Sequence, residues 1–169
     1  MSACDPSLSH TTIVNNTLYM NDSTQSGSGE FAINYHTTNN VFENNVVFSN
    51  DQGLLIGNTI QTATGPGVSA NYNLYYSTLG NTNSQWIWNN HTYNGLAAFV
   101  RATQNDLNSQ FANPDFVDAA TSNFHLTSSS PALKNGLVLS SSIVGTEDLD
   151  GNPRVLNGTI DLGCYEMPQ

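Results

Sequence analysis

The chain has 169 residues, with 13 acidic against 3 basic side chains and a net charge of -10. Hydrophobic residues reach 38%, enough for one packed core, while charged residues make up only 9%, so solubility rests on Asn, Ser and Thr. A surface so poor in Lys and Arg excludes nucleic acid and anionic lipid as partners, because phosphate binding depends on those cations. No apolar run approaches a membrane span, and the opening "MSACDPSLSH" lacks the apolar core of a signal peptide. The polar, acidic profile is that of a secreted or cell-surface protein, whose export signal would have been removed or would sit on a longer parent chain. Cys4 and Cys164 lie near opposite ends. Their spacing fits no zinc motif, and one loop-closing disulfide and two separate thiols both remain open.

Along the chain the first regularity is an asparagine repeat. "NNTLYMND" (Asn15 to Asp22) aligns with "NNVVFSND" (Asn44 to Asp51) at an offset of 29, and "YNLYYS" (Tyr72 to Ser77) continues it at 28. A second register links "FAIN" from Phe31 with "LLIG" from Leu54, 23 residues on. Length varies only in the turn-like segments "STQSGSGE" and "TATGPG", as expected of stacked coils. In such a stack equivalent residues form columns about 4.8 Å apart. An Asn at each bend satisfies its neighbours' amides and tolerates the left-handed backbone that a sharp bend needs. The expected columns are Thr17/Val46/Leu74, Leu18/Val47/Tyr75 and Tyr19/Phe48/Tyr76. Because parallel crossovers are right-handed, the fold class predicted is all-β: a right-handed parallel β-helix of about three coils over residues 1–94. Residues 95–169 are expected to add one short helix, "GLAAFVRATQND" (Gly95 to Asp106), and an irregular C-terminal capping region with a turn at Asp150-Gly151 and a last strand at Thr159 to Tyr165.

"NPDFVDAATSNFHLTSSSPALKNG" followed by "DLDGNPRVLNGTIDLGCYE" resembles the C-terminal region of right-handed parallel β-helix repeat proteins of the pectate-lyase-like group. The usual wording there is close to D-P-x-F-V-D, D-F-H-L, S-P-A-I-D-x-G, D-x-D-G-x-P-R and D-I-G-A-Y-E. This chain departs from it at Lys134 and Cys164, and in showing few coils, so it reads as the C-terminal end of such a helix. The resemblance implies a fold shared by polysaccharide lyases, glycoside hydrolases, esterases, phage tail proteins and adhesins, which does not by itself fix an activity.

Candidate chemistry comes from the repeat. Asp22 and Asp51 fall in one column on adjacent coils, and carboxylates about 5 Å apart would suit a retaining glycosidase pair. The competing reading is two solvated turn aspartates that point apart. Glu30, His36 and Glu43 lie on the same coils, and His36 and Glu43 are candidates for substrate binding. No Lys or Arg precedes Arg101, so the coils lack the base of a lyase and hydrolysis is the expected reaction class. "SQWIWNNHTY" gathers Trp86, Trp88, His91 and Tyr93. Trp88 and Tyr93 read as packing for the following helix, and Trp86 is the candidate platform for a sugar ring. Asp148 and Asp150 in "EDLDGNP" offer oxygen ligands of the Ca2+ type but read first as a solvated turn, so no cofactor is expected beyond that ion.

Two functions follow as expectations. One is a secreted carbohydrate-active protein that binds or hydrolyses a polysaccharide on a β-helix face, with Asp22 and Asp51 as catalytic pair. The other is a non-catalytic module serving as stalk, cap or adhesin tail of a larger surface protein. An open first coil near Thr12 to Tyr19 would further predict a two-fold homodimer through that edge, unless Met1 to Ser9 folds over it.

Overall fold

The computed structural model describes residues 8–33, 37–58 and 67–168. The first repeat contributes β1 (Leu8–Ser9), β2 (Thr12–Val14), β3 (Thr17–Tyr19) and β4 (Phe31–Ile33). The second supplies β5 (Thr37–Thr38), β6 (Asn40–Glu43), β7 (Val46–Ser49) and β8 (Leu54–Asn58). The third supplies β9 (Val68–Asn71), β10 (Leu74–Ser77) and β11 (Gln85–Trp88), after which β12 (His91–Asn94) folds back. Then follow α1 (Leu96–Thr103), β13 (Gln110–Phe111), β14 (Phe116–Asp118), β15 (Asn123–Leu126) and α2 (Ser141–Val144).

The sheet topology corrects the expectation of a single right-handed β-helix of about three coils. Among the described residues the strands divide into five separate sheets, ordered β1-β5, β2-β6-β9, β3-β7-β10-β13, β4-β8-β11-β12 and β14-β15. None closes on itself. Parallel pairs coexist with the antiparallel pairs β11-β12 and β14-β15, and two helices complete the fold. The physical reason lies in the backbone at the bends: Asn15, Asn44 and Tyr72 have φ of 54°, 58° and 52°, so each strand stops there and pairing does not run on into the next sheet. The predicted last strand is also absent. Thr159 makes one isolated bridge to Leu156, and the following amides bond to different segments: Leu162 N–H to Ala132 O and Gly163 N–H to Asn44 O.

What the repeat does set is register. Thr17, Val46 and Leu74 pair in sequence, as do Leu18, Val47 and Tyr75, and then Tyr19, Phe48 and Tyr76. The two residues of each "NN" pair have different tasks. The first takes the left-handed turn, and the second builds a ladder of amides. Asn45 Oδ1 accepts from Asn16 N (2.9 Å) and Asn16 Nδ2 (3.1 Å), and Asn73 Oδ1 accepts from Asn45 N (3.0 Å) and Asn45 Nδ2 (3.2 Å). The ladder ends on a carboxylate: Asp106 Oδ1 accepts from Asn73 Nδ2 at 2.9 Å, and its Oδ2 accepts from Tyr75 Oη at 2.9 Å. Burial raises the Asp106 carboxyl above its usual range, opposed by the bonds from Ser109, Asn73 and Tyr75.

Alternation then sorts side chains to two faces. Phe42, Val47, Ile56, Tyr75 and Trp86 point inward and are fully buried. On the outer face Val46 and Leu74 meet Leu126, Ala132 and Leu162, while Phe48 touches Tyr19 and Tyr76 at ring-centroid distances of 4.8 and 4.9 Å. Each such side chain contributes about 1.5–3 kcal/mol by leaving water. The C-terminal region therefore lies along the outer face of the β3-β7-β10-β13 sheet, reaching back to the first two repeats. It approaches so closely at Gly163 (φ 94°) that a methyl group built there would stand 2.8 Å from Thr17 Oγ1 and 3.0 Å from Val46 Cγ2. The far end of the inner core is closed by α1, whose Leu96 and Phe99 are buried and whose Phe99 ring stacks on Trp86 at 6.0 Å. Gln104, left-handed at φ 59°, terminates the helix.

The ladder makes a graded prediction. Asn45 is fully buried, and Asn45→Ala should cost roughly 2–4 kcal/mol because it leaves several backbone groups unpaired. Asn16 is exposed, and Asn16→Ala should cost under about 1 kcal/mol. Equal losses for the two variants in urea unfolding would show that the ladder carries no stability.

Candidate functional site

The carboxylates of the repeat are placed very differently from one another. After β3 the chain enters the loop "NDSTQSGSGE", and Asp22 turns into it. Its Oδ1 accepts from Ser26 N and Ser26 Oγ, both at 2.8 Å. Its Oδ2 accepts from the amides of Gly27, Ser28 and Gly29 at 3.1–3.2 Å and from Gln52 Nε2 at 2.6 Å. The bond from Gln52 and those from the loop hold the Asp22 carboxyl far below the usual range. A run of amides converging on one anion is a nest, and here the protein's own carboxylate fills it.

Asp51, the other member of the expected pair, is exposed in its turn and has no hydrogen bond or ion pair to Asp22. The structure brings Asp22 together with Glu30 instead. Glu30 is buried and spans two repeats, its Oε2 accepting from Asn21 N at 2.5 Å and its Oε1 from Asn50 N at 3.2 Å. Burial raises its carboxyl, opposed by those two bonds. Glu43 is half-buried at the end of β6, and burial together with the charge of Asp106 raises it. His36 and Cys4 lie outside the described residues. Cys164 is a half-buried free thiol pushed up by burial.

The assignment of Trp86 as a sugar platform is corrected. Its ring is 0% exposed, edge-on to Tyr75 at 5.3 Å and stacked on Phe99, so no face is left for a ligand. Trp88 and Tyr93 also pack on Phe99, at 5.4 and 6.0 Å. His91 is exposed, with Nδ1 2.9 Å from Asn89 O.

A second cluster, which sequence reasoning did not single out, forms where the chain ends. A pocket of about 220 Å³ is lined by Lys134, Thr159, Asp161 and Glu166 among others. Glu166 Oε2 accepts from Asp161 N at 2.9 Å, and its Oε1 accepts from Arg154 Nη1 at 3.3 Å. Asp161 in turn accepts from Lys134 N at 2.7 Å and Met167 N at 2.9 Å. Burial pushes the Glu166 carboxyl up to about 7 despite Arg154. Nearby, Asp148 accepts from Asp150 N, Asn152 N and Glu166 N at 2.8–2.9 Å. Burial works against these bonds, yet they leave its carboxyl below the usual range. His125 Nε2 lies 2.6 Å from Asp150 Oδ2, and its ring stacks on Tyr165 at 4.0 Å, tying β15 to this turn. The signal available in sequence was density: in a chain only 9% charged, "EDLDGNPRVLNGTIDLGCYE" holds six charged residues. Among the described residues no group of three His, Cys, Asp or Glu side chains is arranged to hold a metal ion.

No family model matches the chain. It is 32% identical over 124 residues to the uncharacterized protein YwoF of Bacillus subtilis (strain 168). The match covers 73% of this chain and 26% of that protein, so the chain spans about a quarter of its relative's length.

Two outcomes test these placements. Asp22→Ala should open the loop over residues 23–29 to limited proteolysis, with added formate restoring protection by refilling the nest, whereas Asp51→Asn should leave the cleavage pattern unchanged. Glu166 has a folded-state pKa of about 7 against an ordinary 4.5, so the native state keeps a proton that the unfolded chain has released between those values. Its stabilising contribution is complete below about pH 4.5 and is lost as pH rises through 7, a change on the order of 1–3 kcal/mol. Urea unfolding at pH 5 and pH 8 should show that loss in the parent chain and a flatter profile in Glu166→Gln.

Proposed function

We propose that the chain is a non-catalytic module of a secreted or cell-surface protein, a rigid element that contacts a polysaccharide rather than cutting it. The observation that carries this reading is the saturation of Asp22. A glycosidase acid needs a raised pKa and a proton to give near neutrality. Asp22 has the reverse: six donors hold it ionised, and its intended partner Asp51 faces solvent. Glu30 is likewise consumed in joining two repeats.

Polysaccharide contact is supported by an open groove of about 570 Å³ between α1 and β13, lined by Asn81, Arg101, Gln104, Gln110 and Phe111. Amides suit sugar hydroxyls, and the partly buried ring of Phe111, which packs on Tyr76 and Trp86, would offer its remaining surface to the apolar face of a pyranose. The C-terminal motifs that resemble those of the pectate-lyase-like group are in keeping with it.

The test is a panel of glucans, xylans and pectins assayed both for reducing-sugar release and for retention of the protein on immobilised polymer. The expected result is no release, with retention by at least one polymer that falls about ten-fold or more in Phe111→Ala, a loss of order 1.4 kcal/mol. Sugar release that Asp22→Asn abolishes would restore a hydrolase. Absence of retention throughout would leave a scaffold without carbohydrate contact.

A further inference from the structure

The amide ladder has a direction, and that direction leaves one end unfinished. At each rung the side-chain Oδ1 faces the preceding repeat and accepts its backbone N–H and its Nδ2, as Asn45 does from Asn16 and Asn73 does from Asn45. Beyond Asn73 the ladder is closed by Asp106. Before Asn16 no further rung stands among the described residues: Asn16 is exposed, its Nδ2 is used toward Val14 O and Asn45 Oδ1, and its Oδ1 accepts from none of those residues. The apolar columns end the same way. Phe42, Val47 and Ile56 are 0% exposed, whereas their first-repeat equivalents Ile13, Leu18 and Phe31 are only partly buried. A shallow pocket of about 90 Å³ lies between Ile13, Phe31, Ile33 and Val68.

We infer that the outer edge of β2 and β3 is a docking surface for a parallel β-strand that carries Asn at the ladder position and apolar residues above Ile13 and Leu18. Edge addition of this kind takes its affinity from main-chain hydrogen bonds and its specificity from alternate side chains. Here specificity comes from the rung: only a donor satisfies Asn16 Oδ1. A second copy related by a two-fold axis would present the same end, setting Asn16 Oδ1 against Asn16 Oδ1, acceptor to acceptor. A copy added head to tail would have to offer its other end, which Asp106 and α1 close. The occupant that fits is therefore a strand with the pattern of the chain's own second repeat, in which Asn45 follows Phe42 by three residues and precedes Val47 by two.

The probe is a synthetic peptide copying residues 41–49, titrated into the isotopically labelled full chain and followed by amide NMR. Saturable shifts confined to residues 12–19 and the Asn16 side-chain amide are expected, together with at least ten-fold weaker binding by the same peptide carrying Asn45→Ala. The chain variant Asn16→Ala, folded by its spectrum, should also lose the peptide. Three results would overturn the proposal: no binding by the full chain, equal affinity for the two peptides, or self-association through residues 12–19 in sedimentation without peptide.

Discussion

Asn16 and Asn45 each donate to the amide of the repeat that follows, and Asn45 and Asn73 accept from the repeat that precedes, so the hydrogen bonds at the bend form one polar column that starts at the surface and runs into the protein. A buried amide costs free energy unless its donors and acceptor are both met. Once Asn73 is in place, the fold needs a partner for its Nδ2 in a layer where the repeat has ended. Asp106 fills that role from 33 residues away, and Tyr75 and Ser109 complete its coordination. The position of α1 follows: the chain has to pass over Trp86 and Tyr75 to deliver Asp106, and it does so as a short helix that buries Leu96 and Phe99 on the way.

The same scarcity of charge that makes the chain depend on amides governs its carboxylates. Asp22, Glu30, Asp106, Asp148, Asp161 and Glu166 are all buried or nearly so, and each accepts at least one backbone or side-chain donor that would otherwise be orphaned. They act as anchors for irregular backbone where no strand can serve. Such use ties the protonation of each carboxylate to the stability of the segment it holds.

Much of the register was legible because it repeats. "NN" followed by alternating apolar residues places Val46 over Thr17 and Val47 over Leu18 without reference to anything distant, and the structure has those pairs. Sheet continuity was not legible, because it depends on whether a left-handed Asn15 or Asn44 interrupts pairing, which the letters do not say. Nor was the fate of Trp86 and Asp22. Trp86 is covered by Phe99 from a different element, and Asp22 is saturated by four successive loop amides whose directions a sequence does not carry. Asp106 escaped notice for a simpler reason: it closes the column but stands outside its 28–29-residue spacing.

The laying of the C-terminal segment along the outer sheet also bears on how the protein is made. Asn15 Nδ2 bonds to Asp161 O, 146 residues on, and Cys164 N bonds to Thr17 Oγ1 across 147. The first repeat is thus among the last parts of this fold to be completed, because its outer face waits for residues 146 and 147 positions further along the chain. Contacts of such long range are slow to form and leave apolar strands uncovered in the interval. Val46, Phe48 and Leu74 would spend that interval facing water, which makes the nascent chain, rather than the finished fold, the stage most exposed to aggregation.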